Sequence, residues 1–401
     1  MKLGIDCLIS NAKYQKQLVN KKVGVVANPA SITSQLEHSL DAISQIPSIT
    51  ISAAFGPQHG MRGDKQDNMI ESGNYKDSKH NIPVFSLYGD VRRPTTDMMS
   101  TFDLLLFDIQ DLGCRIYTYI TTLLYLMEAC AEHQKPLWVL DRPNPAGRVI
   151  EGNLLIDGWQ SFVGAGQIPM RHGLTVGELA LWFAKHHNLD IDLHIVKMQD
   201  YKPNQSPGYG WPQGDLPWVN PSPNAASLNM ARFYSGSVLI EGTELSEGRG
   251  TTIPLEIIGA PDIEIDLVLK KMSSLAPQWM RGAYIRPIYF EPTSHKHAHT
   301  LCQGFQVHTD TSQYQPLDFR PFRLVLLFLK AIRLLYPEYQ LWRKFDYEYE
   351  TDRLAFDIIN GGTLIRAWVD DNASSIGDMQ TLLAKDEQYW ANAIDEFLLY
   401  Q

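Results

Sequence analysis

Short apolar runs alternate with segments of helical periodicity along the first half of the chain. The runs are rich in β-branched residues and leucine and stop at polar positions, which is typical of strands buried on both faces. The predicted strands are 23–27, 49–55, 84–87, 104–107, 137–140 and 193–198, and the predicted helices are 36–46, 119–133 and 176–187. Because strands that alternate with helices pair in parallel through right-handed crossovers, we predict an α/β fold with a doubly wound, mostly parallel sheet.

The second half of the chain has a more mixed pattern. The segment 204–226 is rich in proline and glycine and cannot hold a regular element for long, so we place a domain boundary at its end. Beyond it we predict helices at 265–274, 322–335 and 379–399 and strands at 285–290 and 304–308. A length of 401 residues also favours two domains, which we place at 1–226 and, as a smaller α+β domain, at 227–401.

Composition narrows the classes of partner. A net charge of −10, with no lysine-rich or arginine-rich run, argues against nucleic acid as a partner. No stretch reaches the roughly 18 uninterrupted apolar residues of a membrane span, so we expect a cytoplasmic protein without a membrane partner. The four cysteines lie far apart without CxxC spacing and are interpreted as reduced core thiols. No feature predicts an oligomeric state.

Polar side chains follow the carboxyl ends of four predicted strands. They are Asn28, Gln58 with His59, 108–115 and 141–144. Ligands of open parallel sheets bind in the crevice beyond these strand ends, because the loops converge there and helix N-termini face the ligand. We therefore predict one shared polar site, centred on the loop 55–64, FGPQHGMRGD.

Several kinds of catalytic site lack their motifs. GxGxxG after the first strand, GxxxxGK[ST] and GxSxG are all absent, which argues against a dinucleotide enzyme, a P-loop and a serine hydrolase. A metal site of His59 with Asp64 or Asp108 stays an alternative, although no HExxH supports it. The alternating His295, His297 and His299 are interpreted as a solvated strand or loop face. We expect no cofactor and no metal.

Two further segments are unusually polar. Thr175, followed three residues later by Glu178, predicts a capping box, which leaves His172 before the cap free to face a ligand. The loop 241–251 carries three glutamates and an arginine among glycines and either closes over the site or forms an acidic surface loop. Asp111 and Arg115 have the plain alternative of pairing with each other.

Six motifs together resemble a known family. They lie, in order, at 55–64, 86–89, 107–119, 140–145, 221–224 and 247–251. They are similar to the NamZ family of exo-β-N-acetylmuramidases, and the resemblance runs from about residue 4 to residue 400. It implies a Rossmann-like N-terminal domain, a smaller C-terminal domain and an active site in the cleft between them. The implied activity releases N-acetylmuramic acid from the non-reducing end of peptidoglycan fragments during cell-wall recycling.

Gln58 departs from the family pattern, in which the corresponding loop reads PEHG with a glutamate. A glutamine amide does not transfer protons at neutral pH, whereas glycosidases generally use a pair of carboxylates. Three interpretations follow. Another carboxylate acts while Gln58 binds substrate, the subfamily uses another mechanism or substrate, or the protein binds muropeptides or amino sugars without cleaving them. A metal-dependent hydrolase is a further class.

The preferred interpretation is a glycoside hydrolase that acts on a terminal amino sugar. Glu71, with Asp108 or Asp111, is the first choice for the acid and base, and Glu247 is the second. Arginines are expected to hold sugar hydroxyls or the lactyl carboxylate, and tyrosines to contact the ring, although each aromatic residue, Tyr119 above all, has a packing role as its plain alternative. The predicted binding residues are Gln58, His59, Arg62, Tyr88, Arg115, Tyr117, Arg142, Asn144, His172, Asn224, Glu241 and Arg249.

Overall fold

A computed structural model of the chain describes residues 1–63, 71–206 and 208–401. Its strands are β1 Lys22–Ala27, β2 Thr50–Gly56, β3 Tyr75–Lys76, β4 Pro83–Ser86, β5 Leu104–Asp108, β6 Leu137–Leu140, β7 Glu151–Leu154, β8 Pro169–Arg171, β9 Leu193–Val196, β10 Ile257–Ala260, β11 Tyr284–Phe290 and β12 Cys302–His308. Its α-helices are α1 Gly4–Ser10, α2 Ala12–Leu18, α3 Ser39–Ser44, α4 Thr96–Met99, α5 Tyr119–Glu132, α6 Val176–His186, α7 Leu228–Ser237, α8 Ile265–Leu275, α9 Pro321–Leu335, α10 Ala355–Asn360, α11 Leu364–Asp370 and α12 Ile376–Ile394. Short 3₁₀ helices lie at Val238–Gly242, Pro277–Met280 and Asp395–Phe397.

The main sheet has the strand order β3-β4-β2-β1-β5-β6-β9 in the described part of the chain. All its neighbours pair in parallel except β3 with β4, which confirms the predicted fold class. Alternate side chains of a strand point to opposite faces, so Val26 and Phe107 enter one buried cluster and Val25 and Leu106 enter another. Apolar layers cover both faces, as the continuous apolar runs require.

The strand order reverses beside β1. The chain runs outward through β2 and β4 and then returns to place β5 on the other side of β1. In doubly wound sheets this reversal opens a crevice at the carboxyl ends of the strands. The loops after β2 and β5 therefore reach the position at which the sequence predicts a site.

The second half of the chain forms an antiparallel sheet with the order β10-β12-β11, packed against helices. Phe305 of β12 and Phe328 of α9 belong to the same buried cluster as Phe55 of β2, so apolar packing is continuous between the halves. The boundary at residue 226 stays a prediction. The four cysteines are free; Cys114, Cys130 and Cys302 are buried as core thiols, whereas Cys7 is half-buried. No described helix has the length and apolarity that a bilayer crossing requires.

His38 makes stability depend on pH. Its ring caps α3 by accepting from Leu40 N (3.3 Å) and donating to Asn28 O (3.2 Å), an arrangement that needs the neutral ring. Burial, and then the charge of Arg62, lower the pKa of His38 to about 4. The unfolded chain therefore binds a proton that the folded chain does not between about pH 4 and pH 6.5.

We expect the free energy of unfolding to rise by about 2 kcal/mol from pH 4.5 to pH 7 through this group alone. Urea unfolding at both pH values measures the change. His38→Asn keeps a capping side chain but does not titrate, so its rise should be smaller. His133→Asn, at a half-buried helix end, is the control. An equal pH dependence in wild type and His38→Asn would contradict the assignment.

Candidate active site

A narrow cavity lies at the carboxyl ends of the parallel strands and takes walls from both halves of the chain. The N-terminal half contributes the loop after β2 and the segment leading into α5, and the C-terminal half contributes α7 and three later segments. The lining residues are Gln58, His59, Ile116, Tyr117, Thr118, Val163, Ser222, Asn224, Met230, Tyr234, Glu241, Arg249, Leu255, Tyr347 and Glu348. A wider groove of about 520 Å³ lies between β7 and α12, but polar side chains converge in the first cavity.

The loop after β2 turns sharply before the cavity. His59 and Gly60 both have positive φ, 69° and 80°, and Gly60 N donates to Pro57 O at 2.9 Å. This turn presents Gln58 to the cavity. Thr118 Oγ1 donates to Gln58 Oε1 (2.7 Å), and Gln58 Nε2 donates to Glu348 Oε1 (3.1 Å). The amide is therefore held on both sides and its nitrogen faces a carboxyl group.

Glu348 is the carboxyl group that meets the glutamine. Only 6% of its surface is exposed, and Tyr88 Oη donates to its second oxygen at 2.8 Å. Burial raises the pKa of Glu348, and the charge of Glu241 adds to the effect, whereas the hydrogen bonds from Tyr88 and Gln58 oppose it. The net direction is upward, so Glu348 keeps its proton to a higher pH than an exposed glutamate. Sequence analysis did not identify this residue.

The backbone at Glu348 is strained. Glu348 and Tyr349 have φ values of 47° and 74°, and Tyr347 and Glu350 close the turn through paired backbone hydrogen bonds of 3.0 and 3.1 Å. A left-handed conformation costs a non-glycine residue about 1–2 kcal/mol. Contacts of both side chains with the N-terminal half hold the turn, and such strain is concentrated at functional sites.

Glu241 is the second carboxylate in the cavity. It lies in the 3₁₀ helix after α7 and accepts from Arg249 Nη2 (2.6 Å) and from Tyr347 Oη (2.8 Å). Arg249 Nε also donates to Glu247 at 2.7 Å. The guanidinium thus joins the two ends of the loop 241–251, which is largely buried, so the alternative of an acidic surface loop is wrong.

Glu247 lies behind this arginine in a cluster of charges. Lys296 Nζ lies 2.8 Å from one carboxylate oxygen and His295 Nδ1 lies 3.4 Å from the other. Burial alone would raise the pKa of Glu247, but the charges of Lys296, His295 and Arg249 outweigh it and hold the pKa well below its usual range. Glu247 is therefore a fixed anion that supports Arg249 and is unsuited to donate a proton.

The structure brings six of the predicted residues to the cavity wall and a seventh into contact with it. Those on the wall are Gln58, His59, Tyr117, Asn224, Glu241 and Arg249, and Tyr88 contacts Glu348. Tyr117 is fixed by a hydrogen bond from its hydroxyl to Ser222 Oγ (2.8 Å). Tyr119 donates to Pro221 O at 2.7 Å inside the core, which confirms its packing role.

Asp108 and Arg142 do not reach the cavity. Both are fully buried, and Arg142 Nη2 donates to Asp108 Oδ2 at 2.8 Å, while Ser39 Oγ binds the same carboxylate. The pair clamps the ends of β5 and β6 together. Asn144 also serves the backbone, since its amide binds Gly147 O and Leu174 O. The contacts of these three polar residues at strand ends are thus with other groups of the protein and not with the cavity.

Asp111, Arg115 and His172 are buried away from the cavity. Asp111 Oδ2 accepts from Gly113 N at 2.6 Å and lies 3.9 Å from His172 Nε2. Arg115 donates to three backbone carbonyls, those of Asn153, Ile168 and Ile359, so the alternative of an Asp111–Arg115 pair is also wrong. Burial lowers the pKa of Arg115 to about 10.

Glu71 and Arg62 lie outside the cavity wall. Glu71 is exposed and accepts from Tyr349 Oη at 3.1 Å, whereas Arg62 pairs with Asp41 at 3.1 Å. Glu71, the first choice for the acid, is therefore exposed and does not line the cavity. Asp64, at the end of the predicted site loop, lies outside the described residues.

The capping box and the histidine segment have clear outcomes. Thr175 and Glu178 form the predicted box at the start of α6. His295 and His299 are exposed and lie in the loop between β11 and β12, in agreement with the predicted solvated face, whereas His297 is half-buried and its Nε2 lies 2.7 Å from Glu244 O. Within 1–63, 71–206 and 208–401, no cluster of three or more histidine, cysteine or acidic residues is arranged to hold a metal.

Glycoside hydrolases generally use two carboxyl groups, and two glutamates, Glu241 and Glu348, line the strand-end cavity of this doubly wound sheet. Comparison with known proteins agrees. Residues 23–229 match the profile "Exo-beta-N-acetylmuramidase NamZ, N-terminal" and residues 232–400 match the corresponding C-terminal profile. The chain belongs to the NamZ family.

A curated relative and two solved structures support this assignment. The peptidoglycan β-N-acetylmuramidase NamZ of Bacillus subtilis (strain 168) is 40% identical over 399 residues, which cover 99% of this chain and 91% of the relative. A crystal structure of a DUF1343 family protein from Bacteroides fragilis NCTC 9343 has a TM-score of 0.85 and 32% identity, with 100% of this chain and 99% of that chain covered. A second DUF1343 protein of that strain has a TM-score of 0.75, 26% identity and the same coverage.

Proposed function

We propose that this protein is an exo-acting glycoside hydrolase that releases N-acetylmuramic acid, or a related amino sugar, from the non-reducing end of peptidoglycan fragments. Family membership and the B. subtilis relative support the reaction class. A role in peptidoglycan recycling in the cytoplasm is part of the proposal.

The observation that carries the proposal is the buried contact between Gln58 and Glu348. We assign the general acid to Glu348, because burial favours its protonated form and Gln58 Nε2 orients it at 3.1 Å. In this assignment Glu348 gives its proton to the glycosidic oxygen as the bond to the sugar breaks. Glu241, held by Arg249, is the charged partner that stabilises the oxocarbenium-like transition state.

Incubation with a chromogenic β-N-acetylmuramide and with the disaccharide of N-acetylmuramic acid and N-acetylglucosamine tests the proposal. We expect the chromophore and free N-acetylmuramic acid to be released without added metal. Gln58 supports one competing function, a non-catalytic amino-sugar-binding protein. Sugar binding without release from either substrate would establish that alternative, and loss of release with a chelator would point to a metal-dependent hydrolase.

The pH dependence of kcat/KM should show the protonation state of the general acid. Since Glu348 must carry its proton, kcat/KM should fall as the pH rises through its raised pKa. Tyr88 donates to the charged carboxylate and lowers the pKa of Glu348, so Tyr88→Phe should move this alkaline limb to higher pH. Tyr125→Phe, in the same aromatic cluster, is the matched control. A downward or absent shift in Tyr88→Phe would contradict the assignment.

A further inference from the structure

Three of the arginines that sequence analysis assigned to substrate binding are held by other groups of the protein. Arg249 pairs with two glutamates, Arg142 pairs with Asp108, and Arg115 is bound to backbone carbonyls. None of these guanidinium groups is available to a substrate anion without the loss of a buried partner. The arginines that sequence analysis expected to bind a carboxylate are thus committed elsewhere.

Arg92 differs from them. It lies a few residues after Tyr88, and its guanidinium carbon is 3.6 Å from the ring centroid of Tyr349 and 5.9 Å from that of Phe162. Its Nη1 is buried and has no hydrogen-bond partner among residues 1–63, 71–206 and 208–401. Tyr349 is the residue after Glu348 and its ring also contacts that of Tyr88, whose hydroxyl binds Glu348, so Arg92 is linked to the carboxyl group assigned as the acid through these two rings.

A buried guanidinium nitrogen without an acceptor is costly, and a carboxylate is the acceptor that matches it best. Stacking on an aromatic face holds the guanidinium plane and leaves its N–H edge for such a partner. Tyr349 is 44% exposed, so its ring has room to turn aside and uncover that edge. A carboxylate that reached this edge could accept from the unpartnered Nη1 of Arg92.

We propose that Arg92 binds the carboxylate of the lactyl ether that distinguishes N-acetylmuramic acid from N-acetylglucosamine. Arg92 is then the residue that selects the muramyl sugar. The inference rests on the proposed function for its substrate, but it concerns recognition and has its own readout in binding.

The test compares Arg92→Gln with Arg93→Gln. Arg93 is the next residue and pairs with Glu132 at 2.5 Å, so it controls for the loss of one positive charge in the same segment. Each variant and the wild type are titrated with N-acetylmuramic acid and N-acetylglucosamine by calorimetry. They are then assayed with the chromogenic β-glycosides of both sugars.

We expect Arg92→Gln to weaken binding of N-acetylmuramic acid and to lower kcat/KM for its glycoside, each by about 10- to 100-fold. The values for N-acetylglucosamine and its glycoside should stay within about 2-fold, as should all values for Arg93→Gln. Arg92→Lys keeps the charge without the planar fork and should restore only part of the preference.

The outcomes separate this inference from the proposed function. If the wild type binds N-acetylmuramic acid but cleaves neither glycoside, the glycosidase proposal fails, and the change in binding in Arg92→Gln still decides the role of Arg92. An unchanged preference between the two sugars in Arg92→Gln, in binding or in turnover, would overturn the inference. Failure of the wild type to bind either sugar would overturn it as well.

Discussion

Glu348→Gln should lower kcat/KM by about 10²- to 10⁴-fold, the range that proton transfer by a positioned acid contributes. Glutamine has nearly the same shape, and its amide oxygen still accepts from Tyr88 Oη, so the turn at Glu348 should keep its place, but its NH2 group cannot accept from Gln58 Nε2. It also lacks the proton that the leaving oxygen needs. Hydrolysis of the chromogenic β-N-acetylmuramide measures the effect.

Glu350→Gln is the matched control, because Glu350 closes the same turn through its backbone and its side chain is only half-buried. Its activity should stay within about 2-fold of wild type. Thermal unfolding of both variants separates lost chemistry from lost structure. The expected loss of activity is at least about 100-fold. A folded Glu348→Gln protein that keeps activity within about 10-fold of wild type would therefore show that another group is the acid.

A swapped variant asks whether the proton donor has moved between the two residues in contact. Gln58→Glu in the Glu348→Gln background keeps one carboxyl and one amide at the contact of 3.1 Å, but exchanges their positions. The carboxyl then occupies position 58, where the family resemblance implies a glutamate. We expect part of the lost activity to return, and no recovery would show that the acid works only from the turn.

The fold was accessible from sequence because its elements follow from local periodicity. The runs around β1, β2, β5 and β6 were placed within one or two residues of their ends. Strand-end polarity also pointed to the loop with Gln58, which lines the cavity. Strand-end polarity does not distinguish a polar residue that faces a cavity from one buried in an ion pair. Asp108 ends β5 and Gln58 lies just after β2, so the two have the same position in the sequence pattern.

Glu348 was missed for a different reason. It lies 290 positions from Gln58 in the chain, and it sits in a turn whose left-handed residues are a glutamate and a tyrosine where glycine or asparagine is typical. No local pattern announces such a turn, because contacts with the other half of the chain hold it. The buried charge of Glu247 was hidden in the same way, since its partner Lys296 comes from a distant segment.

Removal of one partner of the ion pair between Asp108 and Arg142 should cause a large loss of stability. Both side chains are fully buried, so Arg142→Met leaves a buried carboxylate without its cation and should destabilise the protein by about 3–5 kcal/mol. The same substitution would chiefly reduce substrate binding if Arg142 were a ligand of the sugar. Urea unfolding at pH 7 measures the difference.

The double variant Asp108→Leu/Arg142→Met removes the charge and its partner together. Replacement of a whole buried ion pair by apolar side chains is often close to neutral, so the double variant should be more stable than Arg142→Met. It should also retain hydrolytic activity, since neither side chain contacts the cavity. A double variant that is as stable as wild type but inactive would show that the pair takes part in the chemistry of the site. A double variant that is both stable and active would show that the ion pair is a structural element that positions the loops around Gln58.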